Sequence, residues 1–222
     1  MTDLIYLDHA ATTRLRPVAA EAMARYTADT VGNASSAHAG GRSARHALES
    51  ARERVAAAIG ASRQELLFTS GGTEADNLAV LGRWRATGGG VAISAVEHSA
   101  VRGAAAQAAR EGASLTVMGV DERGRLDRGA LDEALTSGPA VVSVMWANNE
   151  IGTLQPVGEI ARRCAEAGVA FHTDAVQAVG HVPVRVDSVP CALLAFTAHK
   201  LGGPTGIGAL FVREGTDLSP ML

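Results

Sequence analysis

In "LAFTAHKLGG", residues 194–203, His199 and Lys200 stand where an apolar run gives way to glycine. An ammonium at the mouth of a core strand is costly unless it is paired or chemically altered, and as an amine it can form an imine with a carbonyl compound. Four other stretches carry polar residues in comparable settings. "TSGGTEADN", residues 69–77, sets Gly71 and Gly72 before Thr73, a tight turn into a helix whose first N–H groups suit a phosphate. "ANNEIGTLQP" places Asn148, Asn149 and Glu150 after an apolar run, and "HTDAVQAVG" places Asp174 at the end of another with Gln177 three residues on. A carboxylate in so apolar a setting calls for a cationic partner. His98, in "VEHSAV", follows a further run. Taken singly, each has a plain structural reading: a turn, an N-cap, an Asx-type turn, a surface histidine.

Together they form a set. Pyridoxal phosphate needs a lysine amine for the imine, a carboxylate to keep its pyridine nitrogen protonated, and hydroxyl and N–H donors for its phosphate. Lys200, Asp174 and the 71–73 turn supply these, and His98 is placed to lie on the cofactor ring and exchange protons with a substrate. No HExxH or Cys/His cluster offers a metal site. His9, His38, His46, His172 and His181 read as structural or solvent-exposed.

The elements that must position this set alternate in type. Runs of strand length occur at 65–70, 90–95, 114–119, 140–147, 169–175, 192–197 and 208–213. Between them lie segments with helical spacing, at 74–87, 99–112, 128–138 and 157–168, and an amphipathic helix over 40–61 precedes the first strand. This alternation predicts an α/β fold with a mostly parallel seven-stranded sheet and helices on both faces. The last strand follows the lysine loop too closely for a crossover helix, so one antiparallel strand is expected. In such sheets ligands sit at the carboxyl ends of the strands, where the residues of this set fall.

The 222 residues, 47% of them hydrophobic and 19% charged, suffice for one large domain, and a net charge of -3 gives no nucleic-acid or anionic-membrane surface. Small molecules and other proteins are the expected partners. Neither a secretory signal nor a membrane-spanning apolar stretch is evident, which predicts a cytoplasmic location. Cys164 and Cys191 read as partly buried reduced thiols.

Seven stretches in order, "YLDHAATT", "GNASSAHAGGRSAR", "FTSGGTEADNLA", "VEHSAV", "VMWANNEIGTLQPV", "HTDAVQAVG" and "TAHKLGGPTGIGAL", resemble the amino-terminal portion of a class V aminotransferase-fold enzyme, a cysteine desulfurase of the group that feeds iron–sulfur cluster assembly. The resemblance implies the large domain of a fold-type I pyridoxal-phosphate-dependent transferase at 15–222 after an amino-terminal segment at 1–14. It also implies a homodimer, L-cysteine as substrate and a sulfur-acceptor or scaffold protein as partner. By position it implies Lys200 as the Schiff-base lysine, Asp174 on the pyridine nitrogen, Gln177 on the phenolic oxygen with Asn149 nearby, and His98 on the ring. Gly72, Thr73, Thr197 and His199 would hold the phosphate. Thr197 and Ala198 replace a Ser-Gly pair frequent in relatives, and the hydroxyl is kept. Relatives continue past residue 222 into a smaller domain carrying the nucleophilic cysteine and a substrate-gripping arginine, and neither Cys164 nor Cys191 matches that nucleophile. Selenocysteine lyase or another class V transferase, and a non-catalytic half-protein needing a partner chain, stay open as alternatives.

Overall fold

Apolar runs too short for helices become the strands of a single sheet: β1 (Leu66–Thr69), β2 (Gly90–Ser94), β3 (Ser114–Met118), β4 (Val141–Ser143), β5 (Ala170–Asp174), β6 (Leu193–Thr197) and β7 (Gly208–Val212). The description covers residues 5–29 and 31–221 of a computed structural model. Strand order is β1-β7-β6-β5-β4-β2-β3. Six strands run one way, and β7 runs against them between β1 and β6, as the short lysine loop requires. The expected strand 140–147 is shorter as a ladder, but Val144 N–H still donates to His172 O (3.1 Å) and Trp146 N–H to Asp174 O (2.8 Å). β4 and β5 thus stay aligned up to the functional edge.

Helices α1 (Pro17–Asp29), α2 (Ala39–Ala58), α3 (Gly72–Asn77), α4 (Arg83–Thr87), α5 (Ser99–Arg110), α6 (Arg128–Thr136) and α7 (Val157–Glu166) surround the sheet. Side-chain alternation sorts the two faces. Phe171, Leu194 and Phe211 pack with residues of α2, α6 and α7 on one face, whereas Val91, Ile93, Leu193 and Ala195 pack with those of α3 and α5 on the other. In α7 the spacing Val157, Ile160, Ala161, Cys164 puts every buried residue on one stripe and leaves Arg162 and Arg163 outside it.

Two features depart from the sequence expectation. The helix expected over 74–87 is α3 and α4 joined by a π-helical turn, Leu78–Gly82. Ala79, Val80, Leu81 and Gly82 are all buried, because this turn is enclosed between the sheet and the segment near Ser219, whose N–H donates to Gly82 O (2.9 Å). A helix enclosed all round has no single apolar stripe, and π-turns arise at such crowded places. The second is α1, which was not among the expected helices although Pro17 occupies a favoured first-turn position. Val18, Met23 and Tyr26 are 66%, 43% and 49% exposed, so its apolar residues do not mark a core-facing stripe.

Candidate active site

The loops that follow β1, β2, β4, β5 and β6 converge on one cavity of about 550 Å³. β6 ends at Thr197 and passes into a single 3-10 turn, Ala198–Lys200, closed by Leu201 N–H donating to Ala198 O (2.8 Å). This turn sends the Lys200 amine over the cavity, where Nζ donates to the carbonyls of Ala10 and of Ala11. Burial lowers the pKa of Lys200, with Asp174 and Asp8 opposing the shift.

Asp174 closes β5 and is almost fully buried. Its Oδ1 accepts from Val176 N–H (2.9 Å), and its small exposed surface faces the cavity. Burial raises its pKa, while the Val176 N–H, His98 and Lys200 work the other way. The cationic partner expected for it is therefore not in direct contact; Lys200 and His98 act from across the cavity. Gln177, on the same loop, lines the cavity and donates through Nε2 to Ala10 O (2.8 Å).

His98 caps α5, its Nδ1 accepting from Ala100 N–H (3.2 Å). In the neutral ring this leaves the proton on Nε2. One ligand atom each from His98, Asp76 and Asp174 lie within 4.8 Å of one another. After β4 the two asparagines divide their work. Asn148 builds the turn, its Oδ1 accepting from Glu150 N–H (2.9 Å) and Ile151 N–H (3.0 Å) while Nδ2 donates to Val96 O (3.1 Å), and Asn149 lines the cavity.

The remaining wall comes from Gly72, Thr73, Thr197 and His199. Helix α3 begins at Gly72 with Gly71 as its cap, so Thr73 lies inside the first turn and is not the N-cap of its plain structural reading. Glu74 instead folds back, accepting from the N–H (2.7 Å) and hydroxyl (2.5 Å) of Ser70, which fixes the turn. A Cβ at Gly72 would lie 2.9 Å from Val176 Cγ2, so glycine is what lets this turn approach the Asp174 loop. Thr197 donates to Ile207 O (3.0 Å), and His199 Nδ1 lies 3.1 Å from Thr12 Oγ1.

Nine residues expected from sequence thus surround one space: Gly72, Thr73, His98, Asn149, Asp174, Gln177, Thr197, His199 and Lys200. The set fits pyridoxal phosphate by its chemistry: an amine of lowered pKa, a buried carboxylate, and a narrow turn at a helix start that a side chain would fill. Sequence reasoning assigned no role to three groups of residues. Asp8, Ala10 and Ala11 come from a strap, residues 5–16, that is tied to the lysine loop by Thr13 N–H (2.9 Å) and Oγ1 (2.7 Å) donating to His199 O, and by Gly202 N–H donating to Thr13 Oγ1 (2.8 Å). Asp76 and Met145 also line the cavity, and Glu97 and His172 lie buried close to it. Cys164 and Cys191 are buried and do not line the cavity; burial pushes their thiols up to about 12 and about 11.

The family model for aminotransferase class V matches residues 5–222. The chain belongs to this family. A cysteine desulfurase IscS of Dictyoglomus turgidum is 44% identical over 221 residues, an alignment that takes in 98% of this class V chain and 56% of that relative. Among solved structures, a NifS-like protein superposes with a TM-score of 0.94 at 32% identity, covering 98% of this chain and 61% of its own. A structure described as SspA in complex with cysteine gives 0.90 at 30% identity, covering 99% and 65%. The chain spans a little over half the length of the curated relatives it matches.

Proposed function

We propose that this class V chain binds pyridoxal phosphate in the 550 Å³ cavity and serves a cysteine desulfurase, which takes sulfur from L-cysteine, leaves L-alanine and passes the sulfur to an acceptor or scaffold protein for iron–sulfur cluster or thio-cofactor synthesis. A homodimer, a cytoplasmic location and a division into an amino-terminal segment (1–14) and a cofactor-binding large domain (15–222) belong to the same proposal. The observation that carries it is the meeting of Lys200 and Asp174 across one cavity, in a chain whose similar proteins include cysteine desulfurases.

Pyridoxal phosphate bound here would supply an electron sink for the carbanion left when the substrate loses its α-proton. Asp174, held by Val176 N–H and excluded from water, offers its charge to a protonated ring nitrogen at little reorganisation cost. Lys200 would attach the cofactor, and its lowered pKa makes the amine available to take and return a proton. His98 presents Nε2–H, Gln177 and Asn149 would hold the cofactor through their amides, and Gly72, Thr73, Thr197 and His199 would hold its phosphate. Several of these side chains are engaged already: Gln177 Nε2 with Ala10 O, Thr197 Oγ1 with Ile207 O, His199 Nδ1 with Thr12 Oγ1 and His98 Nδ1 with Ala100 N–H.

Neither cysteine is assigned as the sulfur nucleophile, because a thiol pushed up to about 11 or about 12 holds almost no thiolate at neutral pH. This favours a second reading in which the cavity described here works with a thiol from another polypeptide segment. L-selenocysteine is a further candidate substrate. The test is reconstitution with pyridoxal phosphate, borohydride reduction and peptide mapping, then alanine and sulfide or selenide release from the two amino acids. We expect label on Lys200 and none in Lys200→Ala; reducible label elsewhere would refute the assignment.

A further inference from the structure

Beneath the cavity lies a row of buried polar side chains that the reading above leaves unused. In β5, His172 and Asp174 point to the same face, two residues apart. His172 pairs in register with Ser143 of β4, and Ser143 Oγ lies 2.9 Å from His172 Nδ1 and 3.3 Å from Glu97 Oε2. Glu97 Oε1 accepts from Ser94 Oγ (2.5 Å) and Met145 N–H (2.7 Å). At the other end His172 Nε2 faces Asp76 Oδ1 at 3.5 Å, and both atoms are buried with no hydrogen-bond partner among the described residues. Burial holds His172 neutral, with its pKa lowered to about 3, so this contact is not an ion pair.

Counting protons decides what the row can be. The Ser143 hydroxyl has one proton for two neighbours, and neutral His172 has one proton for two nitrogens. If Ser143 donates to His172 Nδ1, His172 carries its proton on Nε2 and donates to an ionised Asp76, and Glu97 Oε2 must itself be protonated to reach Ser143. If Ser143 donates to Glu97, His172 carries its proton on Nδ1, and Asp76 must be protonated to reach Nε2. Both arrangements hold the same number of protons and satisfy every buried atom in the row. With both carboxyl groups ionised, either tautomer of neutral His172 leaves a buried lone pair facing a lone pair, at Ser143–Glu97 or at His172–Asp76.

We propose that Glu97, Ser143, His172 and Asp76 share one proton between the two carboxyl groups, and that its position sets the negative charge that Asp174 meets from within the fold. In the exchange the Glu97 Oε2–H bond breaks as Ser143 Oγ gains a proton. The original Ser143 O–H breaks as His172 Nδ1–H forms, and His172 Nε2–H breaks as Asp76 Oδ1–H forms. No proton enters or leaves. Asp76 lines the cavity and Glu97 does not, so the exchange moves an anion toward or away from the space between Asp174, His98 and Lys200. Burial first, and then Asp174, raises the pKa of Asp76, and burial raises Glu97 to about 7, in keeping with one proton for two sites. Ser143 and His172 act through Asp76 and are positioning residues.

The sharing itself is independent of the cofactor, and its effect on the cofactor rests on the proposed function. Nitrogen-15 spectra of the histidine-labelled protein, with His172 assigned by its loss in His172→Gln, read the tautomer. Glu97→Gln should lock the Nε2–H form and Asp76→Asn the Nδ1–H form. The same tautomer in both variants, or an imidazolium in the unsubstituted protein at neutral pH, would overturn the proposal. Infrared spectra of the unsubstituted protein give a reading that needs no variant: a carbonyl band from a buried, protonated carboxyl that moves in heavy water is expected, and its absence also overturns it. With pyridoxal phosphate added, the pH midpoint of the visible absorbance should rise in Glu97→Gln, where an anion is fixed at Asp76, and fall in Asp76→Asn. Shifts of equal sign would refute the coupling to the cavity. Opposite tautomers without cofactor uptake would support the sharing and sink the cofactor reading.

Discussion

Asp174 illustrates how much of this site is decided by single side chains. It lies almost wholly out of water, its carboxylate accepts from an N–H of its own loop, and its charge is balanced only across the cavity. Asp174→Asn keeps the shape and removes the charge, so we expect folding to change little while pyridoxal phosphate binding and turnover fall by at least tenfold. Parallel measurement of thermal unfolding and cofactor affinity checks this, and near-normal turnover would refute the role. Glu97 gives a second test at this scale, with a definite sign. Its pKa is raised from 4.5 to about 7, so the folded state binds more protons than the unfolded one in that window, and Glu97 stabilises less as pH rises through it. The full effect is roughly 3 kcal/mol. His172, lowered from 6.5 to about 3, has the opposite slope over an overlapping window, so the bare pH profile mixes the two. The difference between Glu97→Gln and the unsubstituted protein reads the proton that Glu97 holds or shares along the row. The variant's relative unfolding temperature should climb between pH 5 and pH 8, and a flat difference would show that Glu97 is not held as a buried acid.

The elements matter because each delivers its residue from a separate place to one edge. The Gly72 turn must come close to the Asp174 loop, and a methyl group there meets Val176 Cγ2 at 2.9 Å. Gly72→Ala should destabilise by about 1–3 kcal/mol, the usual cost of overpacking, and weaken cofactor binding. Adding Val176→Ala should restore much of both, and a double variant no better than the single one would show that the clash is not the cause. The same geometry explains what could be read in advance. Asp174, Lys200, His98 and Asn149 were legible because each interrupts or follows an apolar strand, where a polar residue has no packing reason to be. The antiparallel direction of β7 was legible because a short loop cannot cross over. The strap was not, since the Ala10 and Ala11 carbonyls that receive Lys200 belong to backbone and leave no trace in residue type. Asp76, Glu97 and His172 were missed for another reason: their partners come from α3, β2, β4 and β5 together, and only tertiary packing shows that the row is continuous. Helix α1 lacked a signal because its apolar residues face away from the core.

At the scale of the whole molecule, the exposed apolar side chains are unevenly placed. Ile5, Leu7, Leu15, Val18, Met23, Tyr26 and Val31 all fall in the amino-terminal part of the chain, on the strap and around α1. Single exposed apolar residues need no explanation, but a series concentrated on the segment that also covers Lys200 marks a surface that favours association. The proposed homodimer gives it an occupant, and a dimer using it would steady the strap whose carbonyls hold the lysine. We expect sedimentation or light scattering to show concentration-dependent self-association, and Val18→Glu combined with Tyr26→Glu to shift the protein toward the monomer. If the strap depends on that contact, the same double variant should also bind pyridoxal phosphate more weakly, although neither residue lines the cavity. A monomeric variant with unchanged cofactor affinity would separate association from the site, and a protein monomeric at every concentration would remove the homodimer from the proposal.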